Sequence, residues 1–246
     1  MAWMITTLLF LLVSMNPAFS SSSAFGTKAY TKLVPGFNKL LSTENENDTL
    51  VLIVGMNEDG TTWTDTIQYL KDANQYNVYL FKWSKRSKPQ NISKEIALGL
   101  NSIQADHSLA NIKVMAHSAG GVLLLDSLCQ DKCHFQKKAD NLSFFTVASP
   151  LGGYGNHIPK IMKYLIAPVT IKMGKRITFS PLNKEINLTI LMTTFEADHL
   201  MKEKKDYDIR FPAFKDEEHY EKVILKDTTH NGAILEGLKY ILGEES

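Results

Sequence analysis

Residues 111–128 read NIKVMAHSAGGVLLLDSL, and the succession of residue types along them decides how the rest of the chain is organised. Residues 111–116 are a short apolar run of strand-forming type. Residues 121–128 are apolar almost all round, as suits a helix packed centrally on a sheet. Between them stand Ala116-His117-Ser118-Ala119-Gly120-Gly121. A serine in such a place occupies a tight strand-to-helix turn, where small neighbours are needed because the two backbones approach closely. The turn lifts the Ser118 hydroxyl above the sheet edge. It also sets the Ala119 backbone N–H at a helix N-terminus, where donor and dipole favour developing negative charge. A plainer reading, a serine that only caps the helix, stays open at this point.

Working outward, five further runs have the same strand-like makeup: residues 50–55 (LVLIVG), 77–83 (NVYLFKW), 142–148 (LSFFTVA), 186–194 (INLTILMTT) and 221–226 (EKVILK). Several are continuously apolar rather than alternating, the pattern of strands buried on both faces of a parallel sheet. Helical stretches lie among them. Ile92, Ile96, Leu100 and Ile103 recur on one helix face, and residues 61–69 and 232–242 complete the set. Alternating strands and helices predict an α/β fold: a mostly parallel sheet of about six strands, helices on both faces and right-handed crossovers. A single domain over residues 25–246 accommodates it. Two long connections, 157–184 and 199–220, interrupt the rhythm and read as binding loops or lids.

Net charge is +1, so no global field recruits nucleic acid, and any electrostatics that matter are local. Residues 1–15 (MAWMITTLLFLLVSM) form an apolar run, followed by Asn16, Pro17 and small residues through Ala24. That composition predicts a secretory signal peptide over 1–24 and a secreted or periplasmic location. The run is short against the roughly 20 apolar residues of a membrane span. No Lys or Arg precedes it, the first being Lys28, and an uncleaved anchor is the competing reading. Cys129 and Cys133, in CQDKC, read as a disulfide in an oxidising compartment, closing too small a loop to stabilise much. A metal site would need more ligands than the adjacent His134 supplies.

Residues 116–120 resemble the nucleophile elbow of the α/β-hydrolase superfamily, G-x-S-x-G, with Ala116 in place of the first glycine, a departure shared by small lipases of Bacillus type. The resemblance implies an α/β-hydrolase fold and a secreted serine hydrolase of carboxylic ester or lipid-ester bonds. Ser118 would attack an acyl carbonyl, water would release the acyl-enzyme, and no cofactor is implied. The superfamily order is nucleophile, acid, histidine. On that order His230, in KDTTHNGAI between the last run and the final helix, is the general base. No Asp or Glu occurs from 141 through 184, which leaves the acid to the stretch TTFEADHL after the fifth run. There Asp198 has the superfamily spacing, and Glu196 is the alternative.

The resemblance further implies an oxyanion hole with one donor from Ala119 and a second from the loop after the first run. That loop, Gly55-Met56-Asn57-Glu58-Asp59-Gly60, is similar to the H-G-x-x-x-G loop of lipases, with Val54 where His is common, and Met56 is the candidate donor. The stretch 142–153 (LSFFTVASPLGG) is similar to a post-strand turn of lipases. Among the other histidines, His117 reads as packed or hydrogen-bonded beneath the elbow. His107, His134 and His219 read as loop or surface residues, and so does His157, with lining the site as its alternative. The acid-free stretch carries Lys160, Lys163, Lys172, Lys175 and Arg176 among apolar residues. It suits either contact with an anionic membrane surface or a solvated helix with one packed face. The same triad also admits thioesterase, acyltransferase or peptidase chemistry, and the scaffold admits a catalytically silent binding protein.

Overall fold

Seven runs of the chain form one sheet: β1 (Gly36–Leu41), β2 (Asp48–Ile53), β3 (Asn77–Lys82), β4 (Asn111–His117), β5 (Leu142–Val147), β6 (Asn187–Thr193) and β7 (Tyr220–Leu225). The computed structural model describes residues 33–43, 48–58, 61–107, 110–129, 141–152, 186–194 and 220–244. The apolar leader 1–24, Cys133, Glu196, Asp198 and the basic stretch up to 184 lie outside those residues. Four helices join the strands: α1 (Thr64–Ala73), α2 (Pro89–Asp106), α3 (Ala119–Leu128) and α4 (Gly232–Leu242).

The six strand-like runs become β2 through β7, all parallel to one another. Leu50, Leu52, Ile53, Leu80 and Phe81 are wholly buried, as continuous apolar strands covered on both faces must be. The seventh strand, β1, escapes the sequence pattern. It pairs antiparallel with β3, and its register shifts between Lys39 and Leu41. Asn38 is buried inside it, its amide donating to the Val34, Gly36 and Leu80 carbonyls. A bulge and a satisfied buried amide both erase the period-two signal that marks a strand.

The strand order is β1-β3-β2-β4-β5-β6-β7. From β2 the chain steps outward through α1 to β3. It then crosses back through α2 to β4 on the other side of β2. Thereafter it advances in one direction to β7. Right-handed crossovers put α1 on one face and α2 and α3 on the other. The helix contacts agree, with α2 against α3 and α1 against α4. The reversal between β2 and β4 leaves a crevice outside their carboxyl ends, where parallel α/β sheets place their ligand sites.

Backbone conformation marks the same edge. Among the described residues with side chains and positive φ, Asn57, Ser118, Ala148 and Asp227 follow the carboxyl ends of β2, β4, β5 and β7. Only Asn74, which ends α1 in a left-handed cap, lies elsewhere.

Candidate active site

Ser118 stands between β4 and α3 with φ 52° and ψ −125°, outside the regions favoured by residues with a side chain. Its backbone is held on both sides: its N–H donates to Val147 O at 2.9 Å, and its carbonyl accepts the Gly121 N–H at 3.0 Å. The helix can follow so tightly because Gly120 comes next but one. A Cβ there would stand 2.6 Å from Val54 O and 2.8 Å from Ile53 O, both backbone atoms. Gly121 is similarly confined by the Ser149 side chain. The small residues of the elbow are thus a packing requirement of α3 against the sheet.

His230 arrives from the far end of the chain. It lies in the turn between β7 and α4, where Thr228 Oγ1 donates to Lys226 O and the Gly232 N–H donates to Thr229 Oγ1. Its Nε2 is 2.9 Å from Ser118 Oγ, across 112 residues of sequence. Ser118 as a whole is buried, with 8% of its surface exposed. A neutral imidazole with Nε2 unprotonated accepts the serine proton at this distance, which is the arrangement that turns a hydroxyl into a nucleophile.

The loop after β2 is braced from two sides. The indole N–H of Trp83 donates to Val54 O at 2.8 Å, and that of Trp63 donates to Glu58 Oε2 at 2.9 Å. Asn57 takes a left-handed conformation (φ 65°) that amide side chains tolerate, and this turns the chain back on itself. Glu58 Oε2 then accepts the Gly55 N–H at 2.6 Å. Met56, partly buried against the core, is carried at the tip of this turn. Ala119 is fully buried at the first position of α3.

Sequence reasoning gave Glu58 no role, and the structure gives it a central one. Its Oε1 lies 2.5 Å from His117 Nδ1, and His117 is wholly buried. Burial on its own would raise the Glu58 carboxyl. The facing His117 ring, with hydrogen bonds from His117, Gly55 and Trp63, outweighs it and holds the group below the ordinary carboxylate value. The other nitrogen of His117, Nε2, is 2.9 Å from the backbone carbonyl of His230. No spacing rule links positions 59 and 113 residues apart, so only the fold exposes this chain of contacts. Among the described residues, no group of His, Cys, Asp or Glu side chains is arranged to hold a metal ion.

The mostly parallel sheet with its covering helices agrees with solved structures. The chain has the α/β-hydrolase fold. A lipase of Bacillus licheniformis, BlEst2 in mature form, superposes with a TM-score of 0.57 over 85% of this chain and 97% of its own, at 12% identity. Lipase B of Aspergillus fumigatus gives 0.61 over 96% of this chain at 16% identity, and this chain spans 64% of its length. An esterase from a marine microorganism gives 0.55 over 85% of this chain and 98% of its own, at 14% identity. The sequence matches no family model, and no curated protein matches it in sequence. Within the α/β-hydrolase fold, β1 is the antiparallel edge strand of an otherwise parallel sheet, so the sheet has seven strands against the expected six or so.

Proposed function

We propose that this protein is a serine hydrolase of carboxylic ester or lipid-ester bonds, with Ser118 as nucleophile and His230 as general base. The observation that carries the reading is the 2.9 Å approach of His230 Nε2 to Ser118 Oγ at the carboxyl edge of the sheet. Two residues 112 apart meet there, one on a strained turn and the other beside a helix start. Lipases and an esterase among the solved structures of this fold lend support.

The chemistry balances with groups already named. As Ser118 Oγ forms its bond to the acyl carbon, its proton passes to His230 Nε2, and the carbonyl electrons move to the oxygen. Backbone N–H groups of Ala119 and Met56 would hold that oxyanion. Collapse expels the alkoxide, which takes the proton from His230, and leaves an acyl-enzyme that water cleaves by the same steps. Asp198 would keep the imidazole in its reactive tautomer, with Glu196 as the alternative.

A fluorophosphonate probe and a series of para-nitrophenyl esters of rising chain length test this. Labelling should disappear in Ser118→Ala, and ester turnover should fall by several orders of magnitude in Ser118→Ala and His230→Ala. Asp198→Asn should be far more damaging than Glu196→Gln. Labelling that survives Ser118→Ala defeats the assignment. Turnover of thioesters or peptides alone moves the triad to other acyl substrates, and no labelling at all makes the chain a binding protein on a hydrolase scaffold.

A further inference from the structure

The reaction just proposed needs three separate stretches in mutual register: the elbow with Ser118, the turn with His230 and the loop with Met56. They belong to the ends of β4, β7 and β2, which are not all neighbours in the sheet. β7 is the far edge strand, separated from β4 by β5 and β6. Sheet pairing alone therefore does not set the His230 turn against the elbow.

One pair of buried side chains touches all three stretches. His117 immediately precedes the nucleophile, and its Nε2 lies 2.9 Å from the carbonyl of His230. A carbonyl only accepts, so Nε2 carries a proton and donates it there. Nδ1 faces Glu58 Oε1 at 2.5 Å, within hydrogen-bond distance. Glu58 Oε2 accepts the Gly55 N–H, next to Met56, and the Trp63 indole N–H. The rings of His117 and His230 stand 4.8 Å apart between centroids, and the Trp63 ring meets His117 edge-on at 6.4 Å. Space around the pair is closed: a Cβ on Gly55 would fall 2.2 Å from Glu58 Oε1 and 2.9 Å from Ser118 Cβ.

We propose that Glu58 and His117 are positioning residues, a hydrogen-bonded clasp that fixes the His230 backbone and the Gly55–Met56 loop relative to Ser118. The proposal rests on the serine-hydrolase reading. The clasp touches no reacting atom. It acts by holding a base, a nucleophile and an oxyanion donor within the narrow tolerance at which a small displacement costs about 100-fold in rate. A buried Glu–His pair serves this better than an apolar contact, because hydrogen bonds specify direction as well as distance.

The test compares Glu58→Ala, His117→Phe and the conservative Glu58→Gln in the full chain. The readouts are para-nitrophenyl butyrate kinetics, the rate of fluorophosphonate labelling, and circular dichroism to measure the folded fraction. Glu58→Gln keeps the volume, an acceptor for Gly55 and a partner for His117, and should retain kcat within about three-fold. In Glu58→Ala and His117→Phe, kcat per folded molecule and the labelling rate should fall on the order of 10- to 100-fold with KM little changed. Equal kcat in all four folded proteins overturns the proposal, as does a loss in Glu58→Gln as large as in Glu58→Ala. A wild-type chain that the probe fails to label overturns the hydrolase reading and this one with it. Should the disruptive variants not fold, proton NMR of the 15N-histidine-labelled wild type decides. A far-downfield His117 Nδ1–H resonance that moves when the probe occupies Ser118 supports the clasp, and its absence overturns it.

Discussion

Replacing Ser118 by glycine and by alanine separates the strain of the elbow from its chemistry. Both variants lose the hydroxyl and the contact to His230, so neither should label with a fluorophosphonate. They differ by one Cβ at a backbone position of φ 52° and ψ −125°. Holding a side-chain-bearing residue in such a region costs about 1–3 kcal/mol. Glycine relieves that cost but loses about 0.4–1 kcal/mol through the greater freedom of its unfolded chain. The first term wins, and Ser118→Gly should exceed Ser118→Ala in stability by about 1 kcal/mol. In a domain of this size that corresponds to a Tm higher by about 2–4 °C. The backbone hydrogen bonds from Ser118 to Val147 and from Gly121 to Ser118 are compatible with either residue, so they do not blur the comparison. Thermal unfolding followed by circular dichroism gives the answer. If the alanine variant melts at or above the glycine variant, no strain is stored at the nucleophile and the reasoning fails.

Gly120→Ala drives a Cβ to within 2.6 Å of Val54 O, and overpacking against backbone should cost about 1–3 kcal/mol, read as a Tm lowered by several degrees. An unchanged Tm would mean that α3 does not approach β2 so closely. The folded-state pKa of Glu58 lies below its ordinary value, so in acid the unfolded chain binds the proton more readily and stability falls with pH. Its contribution is present above the unfolded pKa and lost as pH drops through the folded one. Urea unfolding at a series of pH values should accordingly show a shallower acid loss in Glu58→Gln than in the wild type. Parallel curves would show that position 58 does not titrate differently on folding. Burial first, and the Asp106 charge second, push the Tyr79 hydroxyl up to about 12 from 10.0. The folded state holds this proton more tightly, so stability declines as pH rises through that window, and Tyr79→Phe should flatten the decline. An absorbance titration in which all tyrosines ionise together near their ordinary value would refute it.

The clarity of the sequence varied from one element to the next. β2 through β6 stood out because strands covered on both faces must be apolar throughout, and α4 was bounded correctly at Gly232 and Leu242. The α2 face of Ile92, Ile96, Leu100 and Ile103 is buried as its spacing required. β1 was invisible because its bulge and its buried Asn38 break the alternation. α1 was placed too early, over 61–69, whereas the helix runs Thr64–Ala73 and its entry at Trp63 lacks a side-chain cap.

Sequence by itself determined the local grammar: which stretches are strands, that a serine sits where strand turns to helix, and that a histidine opens the last helix. These are properties of near neighbours, set by periodicity, small residues and turn chemistry. Tertiary structure alone decided that His230 reaches Ser118, and that Glu58 and His117 join the elbow to two other loops. Such contacts arise from how β2, β4 and β7 end along one edge of a twisted sheet. A hydrogen bond between residues 112 apart leaves no period in the chain, because the distance between them is set by folding and not by the residues that separate them.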